Sequence, residues 1–329
     1  MSVVSFRPRP RPAVLGRPNW KKILVDKGDD VRKMVLILGV VVASLGLSAC
    51  GSDTKATIDS SVASLGAQSD LQIHFTGSVS GTGTAEAQKV LGVVSMDTRY
   101  ATPSGGPLSQ ANGTANDEVI VNVGSKPLLD LRAIDSNLYV QIDVSAVSEI
   151  PGLPLTSLDQ TELGALQLFL GDKWFEFPSK LLTSQLPSSA ATKAAQYQAI
   201  ESKILDALSK LIDQGPATVL PSGGYSETGT LQSVLTAILP TIQGLDPSAA
   251  ASAGPVQGTY RLTLTNSGSV ATGGSISVTA PEGSGSPGDA TVTLQAAVTH
   301  DSDPVEIPTN VTVITPALIQ QLEGSASSA

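Results

Sequence analysis

The chain has 329 residues, 20 Lys/Arg against 29 Asp/Glu for a net charge of −9, only 4% aromatic residues and a single cysteine. An acidic balance of this kind argues against nucleic acid as a partner and against electrostatic docking on anionic lipid. One cysteine excludes an internal disulfide and every C-x-x-C motif, and the length permits one large domain or two small ones.

Residues 1–30 fit export poorly. Arg7 to Pro12 reads RPRPRP and is followed by Trp20-Lys21-Lys22. Such a tail is either a disordered basic segment, able to touch nucleic acid or acidic head groups, or lies upstream of the true start. A start at Val31 through a GTG codon is the expectation. Residues 31–49 then have the anatomy of a signal peptide. Arg32 and Lys33 form the positive region, Val35 to Leu45 (VLILGVVVASL) the apolar run, and small residues lead to Ala49. That run falls short of the roughly 20 apolar residues of a membrane-spanning helix.

Leu47-Ser48-Ala49-Cys50 resembles the lipobox of bacterial lipoproteins. The resemblance implies lipid attachment at Cys50, cleavage before it, and a chain held on the extracytoplasmic face of the cell membrane. The alternative is a plain signal peptide with a chance cysteine, yet the only cysteine stands where the lipobox requires it. Two acyl chains hold stably where one holds only marginally. Nine of the 20 basic and three of the 29 acidic residues precede Cys50, leaving 11 basic and 26 acidic groups, a net charge of −15. Residues 50–56 are read as a tether, 57–323 as a single domain, and 324–329 as a disordered tail.

Within the domain, Thr57 to Leu65 is expected to form a small helix. Leu71, Ile73 and Phe75 alternate with Gln72 and His74, the pattern of a strand with one buried face. Gly77 to Gly83 reads as a turn, Leu91 to Met96 as a second strand, and Tyr100 to Asn116 as a polar loop. An antiparallel meander follows. Val119, Val121 and Val123 form its first inner set, Leu129, Leu131 and Ala133 its second. After a turn at Asp135-Ser136-Asn137, Leu138, Val140, Ile142 and Val144 form the third. Asp130 and Arg132 alternate with the second set and Tyr139, Gln141 and Asp143 with the third, and Gln141 and Asp143 are expected to face water. Lys173 to Pro178 (KWFEFP) is a further strand with Phe175 and Phe177 inward. Ala191 to Gln214 is an amphipathic helix whose stripe includes Tyr197, Ile200, Ile204, Leu208 and Leu211, stopped by Gly215-Pro216. Leu231 to Ile242 is a second helix, weakened by Pro240. Strands return around Tyr260 to Leu264, Ile276 to Val278, Val292 to Val298 and Val311 to Ile314, before a short helix over Pro316 to Leu322.

Little in the chain carries chemistry. Its two histidines, His74 and His300, are far apart, and no G-x-S-x-G, P-loop or G-x-G-x-x-G is present. His300-Asp301-Asp303 reads as a surface turn in preference to a calcium or zinc clip. No catalytic residue, metal or cofactor is expected.

The order lipobox, short helix, meander with LYVQIDV (Leu138 to Val144), KWFEFP, helix and more strands resembles the mycobacterial and actinobacterial lipid-carrier lipoproteins of the LppX/LprG type. Those are related in fold to the periplasmic carrier LolA. This chain departs from them in length, through Tyr100 to Asn116 and Gly215 to Gly258. The resemblance implies an α+β fold: a strongly curved antiparallel half-barrel with helices over its concave face and a hydrophobic cavity between. It also implies a non-enzymatic protein that binds a lipid or glycolipid and helps to transport it. On strand and helix parity, the cavity lining is expected to include Ile73, Phe75, Val140, Ile142, Phe175, Ile204, Leu208, Leu262 and Leu294. The alternatives are an anchored structural or interaction module with a filled core, and an unusual hydrolase.

Overall fold

Alternation of aliphatic and polar residues along several stretches of this chain favours strands that bury one face. In a computed structural model, described over residues 63–111, 115–151, 170–171, 173–181, 217–221, 224–245, 256–268, 270–281, 289–300 and 304–318, twelve such strands form one sheet. They are β1 (Asp70–Gly81), β2 (Val94–Ala101), β3 (Asn116–Val123), β4 (Lys126–Ile134), β5 (Asn137–Ile142), β6 (Trp174–Phe177), β7 (Ala217–Val219), β8 (Tyr225–Thr230), β9 (Thr259–Ser267), β10 (Val270–Ala280), β11 (Ala290–Thr299) and β12 (Val311–Val313). Helices α1 (Ala85–Leu91) and α2 (Leu231–Leu245) accompany them. The result is an α+β architecture dominated by one large sheet. The described residues belong to one compact unit, Ser44–Ala329. Among them, no helix is long and apolar enough to cross a membrane.

The strand order is β12-β6-β5-β4-β3-β2-β1-β11-β10-β9-β8-β7. The expected meander is present as β3, β4 and β5. Its second hairpin turns on Asp135 and Ser136, both at positive φ (51° and 67°), the pair of left-handed residues that a type I′ turn requires. The sheet is not wholly antiparallel, as it was expected to be. The chain crosses from β11 to the far edge, so β12 arrives parallel to β6, pairing Val311 with Trp174 and Val313 with Glu176. The order runs from edge β12 to edge β7 without closing.

Several local expectations give way to tertiary pairing. Gly77 to Gly83 is not a turn up to Gly81: β1 continues to Gly81, held by β11 from Gln72 opposite Thr299 to Gly81 opposite Ala290. Leu91 ends helix α1, and β2 begins at Val94 and runs into the expected loop, to Ala101. The region from Gly215 to Gly258 is not simply an insertion, because β7, β8 and α2 lie in it. Pro240 sits inside α2, which continues to Leu245. The helix at Ala191 to Gln214, with Ile204 and Leu208, lies outside the described residues, as do residues 1–62 with Cys50. Of the first and last expected helices, Ala63–Gly66 and Pro316–Leu318 are described and helical.

Directly paired residues on neighbouring strands share a face, so the register divides the sheet into two surfaces. On the polar one, a row runs Gln72, Arg99, Glu118, Arg132, Tyr139, Glu176, and beside it runs His74, Asp97, Ile120, Asp130, Gln141, Trp174. Asp130, Arg132 and Tyr139 do not face open water. Tyr139 is only 4% exposed, packed with Ile134 and Val305, because residues 304–310 cross this face on the way to β12. Arg132 donates to the Glu306 carbonyl oxygen at 3.0 Å, lies 4.7 Å from the Trp174 ring centroid, and ion-pairs with Glu118 at 2.7 Å and Asp130 at 3.1 Å. Arg99 reaches the other Glu118 oxygen at 3.1 Å. Asp143 is likewise more than a solvated side chain. It accepts from the Ser145 amide at 2.9 Å and caps the short 3-10 segment Val144–Glu149.

Glu118 is 2% exposed and bridges two arginines, so removing its carboxylate takes a partner from both Arg99 and Arg132. Glu118→Ala is expected to lower stability by about 3–5 kcal/mol in urea unfolding. Burial is the largest influence on the Glu118 carboxyl and raises it above its ordinary range, as it does for Asp130. A raised carboxyl binds its proton more tightly in the folded state, so its contribution is greatest below the unfolded value and is lost as pH rises through the folded one. Stability of the parent relative to Glu118→Gln should therefore increase as pH falls from neutrality into the raised range. A difference that shrinks on acidification would contradict this.

Candidate functional site

The opposite surface is apolar across the sheet. One row pairs Ile73 with Thr98, Val119, Leu131, Val140 and Phe175 in turn, and the next pairs Phe75 with Met96, Val121, Leu129 and Ile142. In the other direction, Gly77 leads to Leu294, Ile276 and Leu262, and Val79 to Val292, Val278 and Tyr260. All seven strand residues expected to line a cavity (Ile73, Phe75, Val140, Ile142, Phe175, Leu262 and Leu294) thus stand on one face. The two helical ones, Ile204 and Leu208, lie outside the described residues.

Their burial is uneven. Ile73, Phe75 and Phe175 are buried. Val119, Val121, Leu129, Leu131, Val140 and Ile142, the middle of the meander, are partly exposed. Described segments reach this face in three places. Leu91 of α1 lies over Gly77 beside Leu294, where a Cβ would meet its Cδ2 at 3.4 Å. Leu65 packs against Tyr225 and Leu264. Leu170, Leu181, Ile314 and Leu318 pack around Phe175 and Phe177. Partly exposed Val, Leu and Ile side chains in adjacent rows can exchange water for apolar ligand at about 25 cal/mol per Å² of surface buried.

Polar groups interrupt the apolar face at two ends. Tyr100 and Asp117 are cross-strand partners, and burial raises both ionisations, with Asp117 adding to the effect on Tyr100. At the other end lies Glu227, fully buried, on the β8 face that carries Tyr225 and pairs with Leu262. The Tyr225 hydroxyl donates to it at 2.7 Å and the Tyr260 hydroxyl at 2.6 Å. Burial first, then the bond to Glu227, pushes the Tyr260 phenol well above its usual range, so it remains a donor. Tyr260 reaches Glu227 by laying its ring over Gly229, where any Cβ would collide with the ring. The glycine supplies the space and the aromatic covers the backbone. Sequence reasoning missed this trio because Glu227 lies in SGGYSETGT, a stretch without aliphatic alternation.

The histidines do not meet. His74 is exposed on the polar face with its Nδ1 2.8 Å from Asp97. Among the described residues, no group of three or more His, Cys, Asp or Glu is placed to hold a metal ion. Compared with known proteins, the chain matches no family model and no curated protein.

Gly229→Ala is expected to push the Tyr260 ring aside and leave the Glu227 carboxylate short of a donor, lowering stability by about 2 kcal/mol or more. Tyr260→Phe keeps the ring and removes only the hydroxyl, for a smaller loss of about 1–3 kcal/mol. Equal stability of Gly229→Ala and the parent in chemical unfolding would show that the ring has another seat.

Proposed function

We propose that this chain is a membrane-anchored envelope lipoprotein that holds a lipid or glycolipid against the apolar face of its sheet and helps to move it. Acylated Cys50 would be the anchor, on the extracytoplasmic face of the cell membrane. The reading is non-enzymatic. It rests on one observation above the others: a largely apolar face whose central aliphatics remain partly exposed. Contiguous apolar surface on a protein of net charge −9 marks a place where something apolar is meant to sit. The resemblance in element order to the LppX/LprG type supports the same assignment and extends it to a curved half-barrel with a helical cover. Acyl chains would lie along the rows that contain Ile73, Phe75, Val140, Ile142, Phe175, Leu262 and Leu294. The binding energy would be the burial of methylenes, about 0.8 kcal/mol each.

The rival is an anchored module whose apolar face is filled by its own side chains. Native mass spectrometry of the Cys50→Ala protein separates the two: a bound lipid mass supports the carrier, and a bare chain mass supports the module. Ile142→Trp sharpens the comparison. In a lipid-holding space the indole occupies ligand volume, so lipid uptake falls while melting changes little. In a filled core the same change overpacks and destabilises by about 1–3 kcal/mol. The anchor has its own test. Cys50→Ala should abolish partitioning into the detergent phase, and persistent partitioning would refute lipid attachment at that residue.

A further inference from the structure

Over β8 to β11 the polar face is built of hydroxyls. One cross-strand row reads Thr230, Thr259, Thr279, Thr291, and the next reads Thr228, Arg261, Ser277, Thr293. The pairs Ser277–Thr293 and Thr279–Thr291 are hydrogen-bonded to each other at 2.9 Å, which fixes their side chains in place. A depression of about 500 Å³ opens here, lined by Thr228, Thr230, Thr259, Arg261, Ser277 and Thr279 together with Gly229 and Tyr260. That volume lies within the usual range of small-molecule sites, roughly 300–1,000 Å³. Among the described residues no carboxylate lines it, because Glu227 is turned to the other face.

Arg261 is the unusual member. Arg99, Arg132, Lys89 and Lys126 each hold a carboxylate, whereas Arg261 has no hydrogen bond or ion pair among the described residues. A guanidinium with no partner among the described residues, beside hydroxyls that both donate and accept, matches a ligand with one anionic group and several hydroxyls of its own. We propose that this depression is a binding subsite for an anionic sugar, with the Arg261 fork on the phosphate or carboxylate and the Thr and Ser hydroxyls on the ring. It lies on the face opposite the apolar rows, so it stands or falls separately from the lipid reading.

The test titrates glucose 6-phosphate into the purified full-length chain and follows the amide resonances of Thr228, Thr230, Ser277 and Thr279. Glucose and inorganic phosphate are the comparisons. The subsite requires saturable shifts with glucose 6-phosphate at lower concentration than with either comparison. It also requires about a tenfold or greater loss of affinity in Arg261→Ala, the usual effect of removing one charge-assisted pair. Arg261→Lys, which keeps the charge without the fork, should fall between. Vesicles bearing the same sugar phosphate as a lipid head group separate a membrane-borne source from a free one. Binding that depends on Arg261 in either arm sustains the subsite. Equal response to inorganic phosphate, no change in Arg261→Ala, or no saturable shift in either arm overturns it.

Discussion

Everything in this fold depends on the pairing of β1 with β11. The N-terminal strands β1 to β6 pair as neighbours, and so do β7 to β11. Among the described residues, only the ladder from Gln72 opposite Thr299 to Gly81 opposite Ala290 joins the two halves into one sheet. A slip of one residue there would turn the apolar rows of one half toward the polar rows of the other. A glycine makes the ladder possible at its end: Gly81 takes a φ of 128°, where an added Cβ would strike the Asp289 carbonyl. This contact between distant parts of the chain also sets an expectation for folding, since non-local strand pairing is slow to form.

Once the register is set, the two faces have different physical demands. The apolar face needs cover or a ligand, and its central Val, Leu and Ile rows retain partial exposure. The polar face meets water over β8 to β11 with serines and threonines. Over β2 to β6 it carries the nearly dry carboxylates Glu118 and Asp130, paired with the partly exposed Arg132 and Arg99 and crossed by residues 304–310. A carboxylate as buried as Glu118 is tolerable because cross-strand spacing sets two guanidinium groups against it.

The meander was legible in the sequence because its alternation is strict and its turn residues are polar. The lining residues Ile73, Phe75, Val140, Ile142, Phe175, Leu262 and Leu294 were placed on one face for the same reason, as period-two parity carries across paired strands. The structure differs where local pattern is weak or where a distant segment intervenes. SVSG at the end of β1 and SGGYSETGT around β8 have no aliphatic rhythm, so their strands exist only through their partners. Tyr139 obeys parity but is buried all the same, because Val305, far along the chain, packs over it. No rule of alternation could reveal that Arg132 and Glu118 are neighbours, since this depends on the register of β3 with β4. Glu227 was invisible as a site residue until the register set it between Tyr225 and Tyr260.

The central claim is that the apolar face is the ligand face. Paramagnetic NMR of the Cys50→Ala protein with a spin-labelled fatty acid tests it most directly. The account predicts broadening of Val121, Leu131, Val140 and Ile142, whose side chains share that face, with Thr263, Ser275 and Thr293 on the polar face left sharp. Broadening spread equally over both faces, or confined to Thr263, Ser275 and Thr293, would contradict it.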